Sequence, residues 1–156
     1  MESTMTMTPI GRVSQDGEGP SITIESQYRA GLAGLSDFSH VYVFWWAARY
    51  DLPEVREMLR VPLPYADERE VGVFACRAPV RPNLVMSTVC EIRSVDEATG
   101  KVGVVAIDAF PDTPVVDLKP YYGVTDRVQN PREPAYLAGW PEWFPAEGTG
   151  LMPGEE

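Results

Sequence analysis

Short segments in which apolar and polar residues alternate recur along the chain and predict a fold rich in strands. Residues 21–25 alternate with a period of two, which marks a half-buried strand. Residues 39–46 are rich in β-branched and aromatic side chains and are predicted to form a central strand. Residues 85–95 and 101–107 are predicted to pair as a hairpin, because the polar segment between them ends in Gly100. Further strands are predicted at residues 9–13, 71–76 and 115–119.

Helices are predicted to be few and short because proline and glycine interrupt the chain throughout. The sequence contains 15 prolines and 13 glycines, which favour strands and loops over long helices. Short helices are predicted at residues 27–35 and 52–60, with Pro53 in the first turn of the second. Residues 140–145 are predicted to be irregular, and residues 147–156 to form a frayed tail.

The order of these elements favours one β-rich domain over an α/β fold. Strands recur at short intervals without intervening helices, which is typical of a sheet that closes on itself. The predicted fold class is therefore mainly β, a small closed or nearly closed barrel with one or two short helices. A single domain over residues 1–156 fits the length, because a chain of this size buries roughly two thirds of its unfolded surface.

Cysteine content and apolar runs predict a soluble protein of the reducing cytoplasm. Cys76 and Cys90 are the only cysteines, too few for a disulfide framework and not arranged as a C-x-x-C metal pair. The N-terminus lacks the basic and apolar regions of a signal peptide. The longest apolar run, residues 41–48, is far shorter than the ~20 residues of a membrane-spanning helix, so no membrane association is expected.

The charge balance narrows the range of expected partners. Lys and Arg total 13 against 23 Asp and Glu, for a formal net charge of −10. Clustered basic residues supply much of the affinity for a phosphate backbone, so this balance disfavours nucleic acids, and DNA is not expected as a partner. Acidity favours cationic or neutral small molecules, or serves solubility alone.

The first segment with candidate chemistry carries two arginines on a loop stiffened by prolines. An apolar stretch that begins at residue 72 runs into Arg77 and Arg81. Pro79 and Pro82 restrict the backbone around them. A guanidinium held in this way matches a carboxylate with two hydrogen bonds. The alternative is a structural pair that bonds internal aspartates or loop carbonyls, and the spacing leaves both open.

The second candidate segment is a tight turn between two predicted strands. It reads Pro111-Asp112-Thr113-Pro114, and backbone amides in such a turn are able to read the edge of an adenine. The alternative is an ordinary β-turn in which Asp112 bonds its own backbone. Lys119 and Tyr121 alternate along one face of the following strand and are candidate catalytic groups. The alternative for both is a supporting role at the rim of the barrel.

His40, the only histidine, lacks an obvious catalytic partner. No G-x-S-x-G nucleophile elbow accompanies it, which speaks against a serine hydrolase. Metal ligands are equally scarce, so no metal is expected. Both cysteines fall in predicted apolar strands, where buried and unreactive thiols are expected.

Taken in order, these segments resemble the TsaA-like or TrmO-type β-barrel methyltransferases. The resemblance covers nearly the whole chain, and its most specific signature is the segment 72–83, G-V-F-A-C-R-A-P-V-R-P-N. The other matches lie at residues 9–11, 28–35, 38–40 and 117–121, with the tail motif at residues 140–143.

The resemblance implies a compact barrel that binds S-adenosylmethionine and usually works as a homodimer. The best-known family activity methylates the exocyclic nitrogen of threonylcarbamoyl-adenosine in tRNA. A small metabolite as methyl acceptor, or cofactor binding without catalysis, are the alternatives. Arg77 is expected to hold the cofactor carboxylate or its loop, and His40 to orient the adenosine. The expected cofactor contacts, taken with the arginine loop, are His40, Val41, Arg77, Arg81, Asn83, Ser87, Asp112, Thr113 and Pro114.

Two departures from the family pattern fall in the inferred pocket. Residues 84–88 read L-V-M-S-T where the family usually has P-I-G-L-S, so Ser87 stands where a leucine is usual. The family turn usually reads D-G-T-P, whereas this chain has Asp112 in place of the glycine. Both changes leave the expected fold and cofactor in place and bear on the substrate.

Overall fold

Six strands pair edge to edge into a closed antiparallel barrel, and two more form a separate hairpin. The computed structural model describes residues 2–151 of the chain. Its strands are β1 (Gly11–Asp16), β2 (Gly19–Ile24), β3 (His40–Trp46), β4 (Arg60–Leu63), β5 (Arg69–Gly72), β6 (Val85–Asp96), β7 (Lys101–Val104) and β8 (Pro114–Pro120). The barrel order is β1-β2-β7-β6-β3-β8, and β4 pairs with β5. The predicted barrel is confirmed.

The helices are short, as the prolines and glycines predicted. Helix α1 spans Pro53–Arg56 and helix α2 spans Gly123–Asp126, and the other helical segments are 3₁₀ in character. None of the helices within residues 2–151 combines the length and the apolar character that crossing a membrane requires.

The alternation of side chains along β3 defines the inner and outer faces of the barrel. Val41, Val43 and Trp45 are buried and point into the barrel, whereas Tyr42 and Phe44 are half-buried on its outer face. Successive side chains of a strand point to opposite faces, so a period of two in burial follows. The predicted central strand is confirmed, and its pattern fixes which side chains are able to meet inside the barrel.

The register of β3 against its neighbours carries this division across the sheet. Val43 is paired with Thr88 of β6 and with Leu118 of β8. Phe44 is paired with Ser87. Directly opposed residues share a face of the sheet, so Thr88 faces the barrel interior and Ser87 faces outward.

Aliphatic side chains contributed by all six barrel strands fill the interior. Burial of this apolar surface supplies the main driving force for closing the barrel. The fully buried members of the core include Ile22, Val41, Val43, Leu84, Val102, Val104 and Val115.

The predicted hairpin is formed by β6 and β7, and its turn shows why the sequence encodes it. A carboxylate oxygen of Asp96 accepts hydrogen bonds from the backbone N–H groups of Ala98 and Thr99, at 3.0 and 3.3 Å. Gly100 has a φ of 76°. A side chain at this position would lie 2.6 Å from the carbonyl oxygen of Ile24, so the turn requires glycine. Strand β7 ends at Val104 rather than at residue 107.

Three predicted elements are wrong in extent or type. The strand predicted at residues 71–76 is the end of β5 followed by a 3₁₀ turn at Val73–Ala75. The helix predicted at residues 52–60 is reduced to α1, because Arg60 already begins β4. The helix predicted at residues 27–35 is a 3₁₀ segment at Ser26–Leu32, closed off by a left-handed Gly34.

The hairpin of β4 and β5 was missed for identifiable reasons. Pro62 lies inside β4, and a proline within a candidate strand argues against a strand because it lacks a backbone donor. The turn uses Asp67 and Glu68 at φ values of 51° and 58°. Asp67 suits a left-handed conformation, but Glu68 stands where glycine or asparagine would usually signal such a turn, so the sequence did not predict it.

Candidate functional site

A cavity of about 330 Å³ lies at the end of the barrel where β3 ends and where β6 and β8 begin. It is called the mouth cavity below. Its volume falls in the range of about 300–1,000 Å³ that small-molecule pockets usually have. The side chains that give it chemical character are Trp45, Arg49, Tyr50, Arg77, Asp108 and Phe110.

The mouth cavity combines charges of both signs with aromatic walls. Arg49 lies over the ring of Phe110, with 3.7 Å from the guanidinium carbon to the ring centroid. Arg77 adds a second guanidinium and Asp108 a carboxylate. Such a set suits a zwitterion attached to a flat ring system. Within residues 2–151, no group of three or more His, Cys, Asp or Glu side chains is arranged to hold a metal ion.

A chain of hydrogen bonds runs from the barrel core to the carboxylate at the cavity wall. The indole Nε1–H of Trp45 donates to Thr88 Oγ1 at 3.0 Å. The Thr88 hydroxyl in turn donates to Asp108 Oδ1. The Cys90 thiol lies in the same interior, where burial, followed by the charge of Asp108, raises its pKa to about 12. The expected buried thiol is confirmed for Cys90.

The two arginines of the proline-braced loop have different roles. Arg81 Nη1 donates to the backbone carbonyls of Cys76 and Ala78 at 3.2 and 2.9 Å, so this guanidinium braces the loop from inside. Arg77 is exposed and lines the mouth cavity. The sequence left a ligand role and a loop-carbonyl role open for both arginines. Arg81 takes the loop-carbonyl role, whereas the ligand role of Arg77 stays a prediction. Cys76 is half-buried and outside any strand, so the expected buried strand cysteine is wrong there.

A second cavity, of about 630 Å³, adjoins the mouth cavity at the same end of the barrel. The two cavities share Gly150 and Leu151 as lining residues, and the larger one also includes Gln15. A side chain at Gly148 would lie 3.1 Å from the Cβ of Ala106, which places the end of the described chain against the barrel. The frayed tail predicted at residues 147–156 lies partly outside the described residues and stays a prediction.

A third cavity lies on the outer face of the same strands and is called the outer cavity below. It has a volume of about 480 Å³ and is lined by Tyr42, Phe44, Ser87, Lys119, Tyr122 and Asp126, among others. Burial, followed by the charges of Asp126 and Tyr121, raises the pKa of Tyr42. The charge of Arg77 acts on the same pKa in the opposite direction, so Arg77 lies within electrostatic reach of both cavities.

An aromatic row borders the outer cavity along β3. Tyr42 stacks with Phe44 and with Tyr121, with ring centroids 6.1 and 6.0 Å apart. His40 meets the edges of Tyr121 and Phe144 at 6.3 and 5.5 Å. The Nδ1 atom of His40 is 2.7 Å from the hydroxyl of Ser39. His40 is thus packed among aromatic rings at the far end of β3 from the mouth cavity.

The residues predicted to bind the cofactor do not converge on one cavity of this chain. Arg77 and Thr113 line the mouth cavity, whereas Ser87 lines the outer cavity together with Lys119. His40 and Tyr121 lie on the outer face, and the side chain of Val41 is fully buried in the core. Asn83 is exposed at the end of the loop that carries Arg77 and Arg81. Pro114 begins β8 opposite Arg12.

Asp112, the departure from the family turn, adopts the backbone conformation that a glycine would take. Its φ is 68°, and its N–H donates to the carbonyl of Val13 at 2.8 Å. Aspartate tolerates the left-handed region better than most residues with a side chain. The turn conformation is therefore compatible with the substitution, and the exposed Asp112 side chain is the actual change.

Sequence reasoning missed the residues that give the mouth cavity its character, namely Trp45, Arg49, Asp108 and Phe110. Asp108 and Phe110 directly precede the turn at residues 111–114 that the sequence predicted as a candidate. The signal available for Asp108 is a carboxylate directly after the apolar run of residues 104–107. Trp45 carries no signal of its own, because any inward position of a central strand is expected to be aromatic or aliphatic.

The barrel and its sequence match a known protein family. The family model of the tRNA-methyltransferase O N-terminal domain matches residues 3–127. A crystal structure of TrmO from P. aeruginosa superimposes with a TM-score of 0.67 at 22% identity, over 86% of this chain and 62% of that one. This likeness shows the shared barrel fold.

The relatives include proteins from archaea and from mammals. A probable S-adenosyl-L-methionine-binding protein of Halobacterium salinarum is 37% identical over 64% of this chain and 73% of its own length. A protein of the same description from Methanothermobacter thermautotrophicus is 38% identical, over 76% and 79% of the two chains. The human tRNA (adenine(37)-N6)-methyltransferase is 33% identical over 66% of this chain, which spans only 22% of that enzyme. The match over residues 3–127 shows that the chain belongs to the tRNA-methyltransferase O family of S-adenosylmethionine-dependent methyltransferases, as the ordered motifs predicted.

Proposed function

We propose that this chain binds S-adenosylmethionine in the mouth cavity and methylates an adenine of tRNA. The observation that carries the proposal is the meeting of aromatic walls with Arg77 and Asp108 in one small cavity. The human relative, by its name, acts on the N6 atom of adenine 37 of tRNA. The finer proposal is that the acceptor here is threonylcarbamoyl-adenosine.

The residues of the mouth cavity fit the groups of this cofactor one by one. A guanidinium, here that of Arg77, pairs with an α-carboxylate through two hydrogen bonds. The carboxylate of Asp108 suits a cationic ammonium or sulfonium group. Trp45, Tyr50 and Phe110 provide apolar and aromatic surface for an adenine ring. Thr113 adds a hydroxyl to the same walls, and the remaining predicted contacts stay predictions.

Catalysis by these residues consists of positioning and exclusion of water. When bound, S-adenosylmethionine supplies a methyl group activated by its sulfonium sulfur. Trp45 and Ala47 are buried and close the inner side of the cavity, so water is excluded there. A nitrogen nucleophile held in line needs little acid–base assistance, and orientation supplies most of the acceleration. Lys119 and Tyr121, the predicted catalytic candidates, lie on the outer face and stay predictions.

The binding half of the proposal is tested by calorimetry with S-adenosylmethionine. Micromolar affinity corresponds to about −8 kcal/mol and gives readily measured heat. An Asp108→Asn variant separates binding in the mouth cavity from binding in the outer cavity, because Asp108 lines the first and not the second. Absence of heat with the parent chain at millimolar cofactor would overturn the proposed function.

The acceptor is tested by transfer of a labelled methyl group in an extract from cells that lack the gene. We expect label in the tRNA fraction, on an adenine nucleoside. Label confined to small molecules would contradict the tRNA assignment and support a metabolite acceptor, which the net charge of −10 also favours. If neither fraction becomes labelled, the protein binds the cofactor without catalysing methyl transfer. Repeating the reaction on tRNA that lacks the threonylcarbamoyl group decides the finer proposal, which requires the label to disappear.

We further propose that residues 1–156 act as one domain and as a homodimer in the cytoplasm, where tRNA is modified. An exposed apolar patch supports dimerisation: Phe74 is 82% exposed and Leu59 is 61% exposed. Their segments lie side by side, since Val73 N–H donates to the carbonyl of Leu59 at 3.0 Å. Light scattering should give a dimer for the parent chain and a monomer for Phe74→Asp.

A further inference from the structure

Thr88 is a buried hydroxyl that connects the barrel core to the mouth cavity. It is 4% exposed and is flanked by Trp45 on one side and by Asp108 on the other. We propose that Thr88 is a positioning residue, whose hydroxyl fixes the Asp108 carboxylate for a cationic group of the cofactor. The proposal rests on the proposed function of the mouth cavity and deepens it by naming the residue that prepares the carboxylate.

The direction of the hydrogen bonds follows from the chemistry of the three side chains. An indole N–H donates only, so Trp45 must give its hydrogen to the hydroxyl oxygen of Thr88. A hydroxyl has a single hydrogen, and Trp45 directs it away from itself towards the neighbouring acceptor. An ionised carboxylate accepts only, so Asp108 receives that hydrogen. The order Trp45, Thr88, Asp108 is therefore fixed, and every member is satisfied.

The backbone positions explain why Asp108 needs such a partner. Thr88 is held in β6 opposite Val43, within the continuous seven-pair register of β3 and β6. Asp108 lies outside the strands, in the connection between β7 and β8, where no sheet ladder holds its backbone. A bond to a rigid hydroxyl reduces the conformations open to the carboxylate before a ligand arrives. Binding then costs less conformational entropy, which is the general basis of preorganisation.

A merely structural role for Thr88 makes a different prediction. If the hydroxyl only satisfies Trp45, its removal weakens folding but leaves the contribution of Asp108 to cofactor affinity unchanged. If it positions Asp108, the two side chains act on the cofactor as one unit. The coupling between them in ligand affinity therefore distinguishes the two roles.

The experiment is a double-mutant cycle measured by calorimetry with S-adenosylmethionine. Thr88→Val keeps the shape of the side chain and removes the hydroxyl, and we expect an affinity about tenfold lower. Asp108→Asn should lower the affinity by about ten- to a hundredfold, because a charge-assisted contact is lost. The double variant should bind no more weakly than Asp108→Asn alone. Thr88→Ser restores the hydroxyl and should bind within about threefold of the parent chain.

Each outcome decides between the two proposals. Failure of the parent chain to bind would overturn the proposed function and, with it, the role of Thr88. Parent binding with an unaffected Thr88→Val variant would overturn only the positioning role, as would single losses that multiply in the double variant. Thermal unfolding of each variant shows that it is folded at the temperature of the titration. If Thr88→Val does not fold, Thr88→Ala and Thr88→Ser provide the same contrast.

Discussion

The mouth cavity and the outer cavity are built from alternate residues of the same strands, yet they offer different chemistry. Trp45 and Met86 face the mouth cavity, and Phe44 and Ser87, their neighbours along β3 and β6, face the outer cavity. The mouth cavity has guanidinium and carboxylate groups backed by a buried hydroxyl. The outer cavity has stacked aromatic rings and the exposed Lys119, which pairs with Asp117 on the same strand at 3.2 Å.

The two cavities differ in the burial of the residues that support their polar groups, and we expect this difference to affect what each cavity binds. A carboxylate tied to a core hydroxyl keeps its position, whereas an exposed ion pair contributes little and reorients freely. Whether a residue faces inward or outward on its strand therefore decides whether a buried side chain or only an exposed one is able to support it. Each variant below tests one side of this division, beginning with the largest expected effect.

The strictest test of which side chains of β3 face inward is to introduce the same charge at two adjacent positions of the strand. Val43→Asp puts a carboxyl group into the fully buried core, and we expect the free energy of unfolding to fall by about 3–5 kcal/mol. Phe44→Asp, on the outer face, should lose roughly 1–2 kcal/mol from contact with Tyr42. Denaturant unfolding followed by circular dichroism measures both. Equal losses would mean that the assignment of inner and outer faces is wrong.

The next largest effect concerns the charge that the mouth cavity presents to a ligand. Arg77→Ala should lower the affinity for S-adenosylmethionine by about ten- to a hundredfold, because a charge-assisted contact worth about 1.5–3 kcal/mol is lost. Arg60→Ala is the matched control. Arg60 pairs with Glu70 at 2.8 Å on the exposed hairpin, away from the mouth cavity. A similar loss in both variants would point to net charge rather than to a specific contact.

The fold was predictable from the sequence wherever apolar and polar residues alternate along a strand. Strands β2 and β3 carry a clear pattern of two, and Gly100 marks the hairpin turn, so these elements were predicted correctly. Strand β4 contains Pro62, and its turn uses Asp67 and Glu68 in left-handed conformations that glycine usually occupies. Local signals there oppose the structure, and only tertiary pairing with β5 decides it.

The site was less predictable because it depends on which strands lie side by side. The sequence identified Arg77 as a candidate, since two prolines stiffen its loop. It did not connect Trp45, Thr88 and Asp108, whose contacts span 43 and 20 positions along the chain. A hydroxyl inside an apolar strand has no distinguishing mark until the register places it opposite a partner. Motifs that are local in sequence are thus found, and networks across the barrel are not.

The burial of the Cys90 thiol makes a prediction about pH. The unfolded thiol of Cys90 loses its proton near pH 8.5, whereas the folded thiol keeps it up to about pH 12 because burial raises its pKa. The folded state therefore binds more protons between these values, and stability falls as the pH rises. We expect a loss of up to about 1.4 kcal/mol per pH unit above pH 9. Comparison with Cys90→Ala isolates this contribution, since the difference between the two proteins should change with pH only above pH 8.5.

Thiol reagents provide an independent check of the same point. At pH 8, Cys76, which is half-buried and outside the core, should react far faster than Cys90 in the folded protein. Labelling of Cys90 at the rate of Cys76 would contradict the burial of Cys90.

The smallest expected effect tests whether the two cavities are independent in cofactor binding. Ser87 was predicted to contact the cofactor, but its side chain lies on the outer face, where β3 and β6 separate it from the mouth cavity. If one chain binds the cofactor in its own mouth cavity, Ser87→Ala should change the affinity by less than about twofold, a surface change within about 0.5 kcal/mol. Calorimetry on the parent chain and on Ser87→Ala measures this difference. A tenfold loss would show that the cofactor meets the outer face, either that of the same chain or that of a second copy. Repeating the measurement with the monomeric Phe74→Asp variant would then separate a shared site from a site within one chain.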